Sequence, residues 1–287
     1  YKVSAPQMDG WRCTGSMLMV GMDAAAKARR TGESILARCR AIFERRGLPD
    51  FRSATVELLG AETIYAPHAR AGGSREVMVR VVATHEARQA LEVFAREIAP
   101  SGTSWSPGTT GPGAGRPAVS PHIKPFSFLL DKASVPLRVR VGEQVHELVQ
   151  PAGADRVAAA ASLPAPAAWL DGDGPQVEVP LVKLAWGRSG DKGNISNIGL
   201  VARRPEWLPL LWDRLTPAVV KAWFAHLVKG EVERFHLPGL DAMNIVMHQA
   251  LDGGGPASTR NDPLGKGMAQ MLLEMPVRVP TSVAQGL

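Results

Sequence analysis

The segment WRCTGSMLMVGMDAAAKARRTGESILARCRAIFERRGLP, residues 11–49, decides the fold class. Its first ten residues alternate as a half-buried strand does: Cys13, Met17 and Met19 share one face, and Thr14, Ser16, Leu18 and Val20 share the other. Asp23 is then placed as an N-cap before a helix of about two dozen residues. Ile35, Leu36, Cys39, Ile42 and Phe43 fall on one side of that helix, and Gly47 followed by Pro49 ends it.

Downstream, residues 55–60 and 76–83 are rich in β-branched side chains and read as strands. Residues 85–98 return to helical spacing, with Ala87, Leu91, Phe94 and Ile98 inward. Strand, helix, strand, strand, helix is the split βαβ order, two helices on an antiparallel sheet. From Pro100 to Pro121 periodicity disappears (PSGTSWSPGTTGPGAGRPAVSP), and so long a loop inside a domain is either functional or disordered. A strand pair turns at Gly142, and the Ala/Pro-rich residues 151–176 have the composition of an interdomain linker.

The second domain starts near Val177. Its pattern is strand 178–186, a Gly-rich turn, strand 195–202, helical segments over 205–228, strand 231–237, a segment 242–250, helix 263–275 and a short final strand. Thr216 caps a helix with Pro217 at its first position. Met268, Met271, Leu272 and Met275 form a stripe that reads as core. The expected class is α+β: two ferredoxin-like (split βαβ) α/β sandwich domains with antiparallel or mixed sheets, over residues 1–150 and 177–287.

Composition narrows the function. A length of 287 residues suits two domains, and 45% hydrophobic with 21% charged residues describes a soluble globular protein. No run of 18 apolar residues argues for a membrane helix, and with no basic-then-apolar stretch at the start of the sequence secretion is not expected. Two cysteines, Cys13 and Cys39, make neither a disulfide framework nor a cysteine zinc site, which favours a reducing, cytoplasmic setting. Of the net charge of +6, a surplus of four lies between Asp23 and Arg46, where seven Lys/Arg face three Asp/Glu. That helix surface is solvated or partner-facing, or docks a phosphorylated ligand; no aromatic interleaving points to nucleic acid. The seven histidines are scattered, so no metal site is expected, and no cofactor motif such as GxGxxG is present.

Two glycine-rich constellations carry the candidate chemistry. In LAWGRSGDKGNISNIGLVAR, residues 184–203, Gly190 and Gly193 let the backbone turn and aim N–H groups at one point. Arg188, Ser189, Lys192, Asn194 and Asn197 stand around that point as further donors. The alternative reading is a tight hairpin of polar turn formers. In DGGGPASTR, residues 252–260, Gly254, Gly255, Ser258 and Arg260 suit a phosphate or carboxylate, or else form a plain connection into the last helix. His68, in the polar loop TIYAPHAR, is either an acid/base or a loop residue.

The stretches KLAWGRSGDKGNISNIGLVARRPEWLPLL and VERFHLPGLDAMNIVMHQALDGGGPASTRNDPLGKGMAQMLLEMPVRVP resemble the acyclic terpene utilization protein A (AtuA) family. So do the opening YKVSAPQMDGWRCTGSMLMVG and the strings GAETIYAPHAR and FAREIAPSGTSWSPGTTG. The resemblance spans nearly the whole chain. It implies a ferredoxin-like C-terminal domain, a large N-terminal domain ahead of Tyr1, and a place in the catabolism of citronellol- or geraniol-type terpenes through branched acyl-CoA thioesters.

The sequence supports two functional readings. In the first, the chain is a hydratase or lyase binding an acyl-CoA or terpenoid acid, since a thioester acidifies its α-carbon and the reaction then needs an acid/base and enolate donors. Asp191 or His68 would be the acid/base, Lys192 with the backbone at Gly190 and Gly193 the donors, and Arg260 the anion anchor. The loop from Ser101 to Gly115 would close over the ligand. In the second, the chain is a non-catalytic assembly subunit, pairing with identical chains or with an acyl-CoA carboxylase or hydratase.

Overall fold

The computed structural model describes residues 1–110, 115–150, 163–170 and 174–287. The first domain runs β1 (Lys2–Val20), α1 (Ala24–Arg45), β2 (Ser53–Leu59), β3 (Glu76–His85), α2 (Arg88–Ser104) and β4 (Val119–Leu129). Its sheet is antiparallel with the order β2-β3-β1-β4, which is the split βαβ arrangement. Both helices cover one face. Cys13, Met17 and Met19 of β1 point into this core with Ile35, Cys39 and Phe43 of α1 and Leu91, Phe94 and Ile98 of α2. The opposite face carries Arg12, Glu57 and Arg80, and the second domain docks on it through residues 258–261.

Several local details depart from the sequence expectation. Asp23 sits at the N-cap of α1 in a left-handed conformation and makes no side-chain capping bond. The second helix starts later and runs on through Pro100 to Ser104. The expected lid is therefore helix at its start: the buried Ser101 hydroxyl donates to the Ile98 carbonyl at 2.6 Å. Its next part is strapped to β1, with Val20 N donating to Gly108 O at 2.8 Å and Thr110 N to Leu18 O at 3.0 Å. Gly108 has φ +92°, and a Cβ there would overlap the Val20 carbonyl oxygen. Residues 111–114 of that segment lie outside the described residues.

Strand β4 is disguised in the sequence, because Pro121 and Pro125 argue against a strand. Both are tolerated because β4 is an edge strand, with one side of its backbone unpaired. It also lengthens β1: residues 2–8 pair only with β4, so the two strands continue as a ribbon past β3. The hairpin β5 (Leu137–Val141) and β6 (Gln144–Leu148) lies beyond the ribbon, turning at Gly142 as expected. Most of the expected linker, residues 151–162 and 171–173, lies outside the described residues. The Trp169 side chain packs against the second domain's core.

That domain runs β7 (Gln176–Pro180), β8 (Ala185–Lys192), β9 (Ile195–Ala202), α3 (Leu208–Arg214), α4 (Pro217–Trp223), β10 (Val232–Leu237), β11 (Ala242–Met247), α5 (Met268–Leu273), β12 (Pro276–Pro280) and α6 (Thr281–Ala284). Its main sheet has the order β10-β11-β9-β8. Strands β9, β10 and β11 reproduce the split βαβ order, while the fourth position is taken by β8, the hairpin partner of β9. Strand β12 pairs instead with β7. Thr216 caps α4 as expected, its hydroxyl accepting from Val219 N at 3.3 Å. The Met268, Met271, Leu272 and Met275 stripe is buried core. Among the described residues no helix is long and apolar enough to cross a membrane.

Phe94→Ala, which empties a fully buried site in the first core, is expected to cost about 3–5 kcal/mol in urea denaturation. Val145→Ala, at an exposed position of the β5–β6 hairpin, is expected to stay within about 0.5 kcal/mol of the parent.

Candidate ligand site at the domain junction

Strand β8 runs straight through the expected anion nest. It pairs with β9 from Ala185↔Ala202 to Lys192↔Ile195, so only Gly193 and Asn194 make the turn, with Gly193 at φ +66°. Strand periodicity then separates the candidate residues. Arg188 and Lys192 are exposed on one face of the hairpin. Ser189 and Asp191 point the other way, towards α5 and the turn before it. The buried Ser189 hydroxyl accepts from Ala269 N at 3.0 Å and donates to the Lys266 carbonyl at 3.1 Å. Asp191 lies 3.7 Å from the Lys266 ammonium. Among the described residues Lys192 bonds only its neighbour's carbonyl, at 3.0 Å. Gly190 is paired strand, its carbonyl accepting from the Ser196 hydroxyl at 3.2 Å. Asn197 donates to Asn244 at 3.1 Å. Asp191 and Lys192 therefore point to opposite faces of the hairpin.

The two glycine constellations do meet, as packing. The Asn194 side-chain oxygen accepts from Leu251 N at 3.2 Å and Gly253 N at 2.9 Å. Gly254 N donates to Leu251 O, and Gly255 N to Pro263 O at 3.1 Å. The N–H groups of Gly253, Gly254 and Gly255 are thus used internally. Gly253, Gly254 and Gly255 all have positive φ, and a Cβ at Gly254 would overlap the Gly193 carbonyl oxygen. The glycines are required by conformation and close approach.

Beyond the glycines, an extended segment crosses the open face of the first sheet. His122 donates to the Ala257 carbonyl and Arg12 to the Ser258 carbonyl, both at 3.0 Å. Arg80 donates to the Thr259 carbonyl at 3.0 Å, and Asn261 N donates to Glu57 at 2.9 Å. Glu57, buried, and Arg80, partly buried, stand opposite each other on β2 and β3 and form an ion pair. Ser258 is buried in this contact, where its hydroxyl accepts from Arg260 N at 3.3 Å. None of Glu57, Arg80, Arg12 and His122 stands out in the sequence. The available signal is an acid in TVELL and a base in VMVRVV, opposite charges inside two apolar strands.

A second set of contacts flanks the junction. His68 stacks on Trp223, ring centroids 3.7 Å apart, and its Nε2 donates to the Trp223 carbonyl at 2.9 Å. Tyr65 donates to Glu274 at 2.8 Å; burial, then that bond, pushes its hydroxyl up to about 12. His226 Nε2 donates to the Ile64 carbonyl at 2.9 Å, while its Nδ1 is buried with no hydrogen-bond partner among the described residues. His68 is thus an interdomain packing residue.

Between the two contact sets lies a cavity of about 150 Å³, which His68 does not line. Ile64, Leu227, Leu251, Met268 and Met271 line it, with Glu57, Asp262 and Arg260 as its charged groups. Asp262 is committed, its carboxylate accepting from Lys266 N at 2.9 Å and Gly267 N at 2.8 Å. Arg260 donates to the Ala250 carbonyl at 2.6 Å and the Leu227 carbonyl at 3.2 Å. Among the described residues no carboxylate reaches it within 4.0 Å, and burial lowers its pKa against the pull of Asp252, Glu57 and Asp262. A partly buried guanidinium with no carboxylate within 4.0 Å among the described residues, beside an apolar wall, can seat an organic anion. Of the sequence candidates, Arg260 is the one that faces this space.

Residues 1–141 match the family model described as acyclic terpene utilisation family protein AtuA, and residues 179–278 match the AtuA ferredoxin-like domain. No curated protein and no solved structure matches the chain.

Burial holds the His226 imidazole below its ordinary value, aided by the charges of His68, Arg260 and Lys229 and opposed by the Ile64 bond. The unfolded chain then takes up this proton more readily, so stability rises with pH through the imidazole range and is lost as pH falls below about 6.5. Melting temperatures measured between pH 5 and 7.5 are expected to show this slope. His226→Gln, which keeps a donor for Ile64, is expected to flatten it.

Proposed function

Because the chain belongs to the AtuA family of acyclic terpene utilisation proteins, we propose that it serves that utilisation by holding a branched terpenoid acid at the domain junction. The acid is held free or as the acyl part of a CoA thioester. The observation that carries this reading is Arg260, a guanidinium with no carboxylate partner among the described residues, on the wall of an otherwise largely apolar cavity. A methyl-branched hydrocarbon suits the Ile, Leu and Met lining, and a carboxylate or thioester carbonyl suits the guanidinium.

The same geometry favours binding over turnover. A hydratase or lyase step needs an acid/base free to exchange a proton. Here Asp262 is held by backbone N–H groups, and Glu57 is held by Arg80 and Asn261 N. Glu57 is the group such a step would have to recruit. The buried, unpaired thiols of Cys13 and Cys39, pushed up to about 11 and 12 by burial, support a cytoplasmic setting.

A thermal-shift titration with geranic acid, geranyl-CoA and CoA tests the reading. At about 100 times its dissociation constant a ligand adds about 2.7 kcal/mol of stability. Geranic acid and geranyl-CoA are expected to raise the melting temperature, and Arg260→Met to abolish the rise. No shift with either in the parent protein would overturn the proposal.

A second reading, assembly, rests on the β1–β4 ribbon, where Phe126 and Phe128 lie 5.9 Å apart and are 53% and 40% exposed. Apolar surface of this kind on a two-stranded ribbon is suited to a partner, either an identical chain or an acyl-CoA carboxylase or hydratase. Light scattering on the eluted protein is expected to give a dimer or larger that Phe126→Ser with Phe128→Ser dissociates. A strict monomer that retains no such enzyme would remove this reading.

A further inference from the structure

At the far end of β8 and β9 from the Gly193–Asn194 turn lies an open cleft of about 500 Å³. Lys183, from the turn before β8, and Arg203 and Arg204, just after β9, line it with Trp207 and the last residues of the chain. No Asp or Glu side chain is among the lining residues, and among the described residues no carboxylate lies within 4.0 Å of any of the three cations. This cleft shares no residue with the cavity at the domain junction.

The two guanidinium groups are already positioned. Arg203 donates through Nε to the Val182 carbonyl at 2.8 Å and lies over Trp186, 4.7 Å from its ring centroid. Arg204 donates to the Gly286 carbonyl at 2.8 Å and lies 4.8 Å from the Trp207 centroid. One hydrogen bond and one ring hold each plane, leaving the remaining N–H donors of both forks for something else. Ordering that has been completed before binding does not weigh against the ligand. Three like charges lining one cleft, with no Asp or Glu side chain among its lining residues, repel one another, and an anion with several oxygens relieves that repulsion while accepting from both forks. A single carboxylate would fill one fork. A phosphate or diphosphate group matches two guanidinium planes and an ammonium together.

We propose that the Lys183–Arg203–Arg204 cleft is a binding site for a phosphate or diphosphate group. The group is free or belongs to a nucleotide whose base lies against Trp186, 52% exposed beside Arg203. Calorimetric titration of the full chain with inorganic pyrophosphate and with adenosine 3′,5′-bisphosphate tests this and distinguishes the two sources. Saturable binding of one equivalent is expected. Tighter binding of the adenosine compound, lost in Trp186→Ala, marks a nucleotide; equal affinities mark the free group. Arg203→Gln with Arg204→Gln is expected to weaken binding at least tenfold. Because Arg204 also holds the C-terminal turn, Lys183→Gln serves as the second variant. Its ammonium makes no hydrogen bond or ion pair among the described residues, and at least a threefold loss is expected. Arg29→Gln with Arg30→Gln, on the exposed side of α1, is expected to bind as the parent does. Absence of binding in the parent, unchanged binding in Lys183→Gln, or an equal loss in the α1 variant would overturn the proposal.

Discussion

Three consecutive carbonyls, those of Ala257, Ser258 and Thr259, need donors, and they find them on the other domain in His122, Arg12 and Arg80. That docking is the constraint on which the junction depends. It places the guanidinium groups of Arg12 and Arg80 under a polar backbone, and Glu57 offsets their charge by pairing with Arg80 and accepting from Asn261 N. A largely buried ion pair of this kind adds little net stability, because desolvation offsets the attraction, yet losing one partner is costly. Its contribution is to specify one arrangement of strap on sheet. The cavity beneath Arg260 exists because the strap is held there.

The glycine triplet explains how the strap can start where it does. Gly254 meets the backbone of Gly193 with no room for a side chain, and Asn194 accepts from the N–H groups of Leu251 and Gly253. An amide oxygen from the chain itself occupies the place an anion was expected to take. The glycine motifs in both halves of this site therefore meet in one joint, and Arg260, at the end of the second motif, lines the cavity beside it.

Helices were the most legible part of the fold. Ile35, Leu36, Cys39, Ile42 and Phe43 repeat at helical spacing, and all five are buried where that spacing puts them. The split βαβ order of the first domain was readable for the same reason, although its closing strand was not. Pro121 and Pro125 disguise β4, because whether a proline is harmful in a strand depends on whether a neighbour needs its missing N–H. In the second domain, Gly187 to Asn194 has the composition of a loop. Pairing with β9 supplies what propensity lacks and carries the strand to Lys192. Once the strand is there, alternation alone sends Asp191 and Lys192 to opposite faces.

Sequence alone determined the class of the protein, the two α+β domains, the buried stripes of α1, α2 and α5, and the special status of both glycine motifs. These rest on periodicity and backbone freedom, which act over a few residues. Only the tertiary structure decided what the motifs are for. Arg12 and Ser258 stand 246 positions apart, and His68 and Trp223 155 apart. Nothing local in either partner encodes the other. Long-range packing brings the cavity with Arg260 on its wall and the basic cleft at the far end of β8 and β9 into being, and it uses the N–H groups of Gly253, Gly254 and Gly255 within the chain.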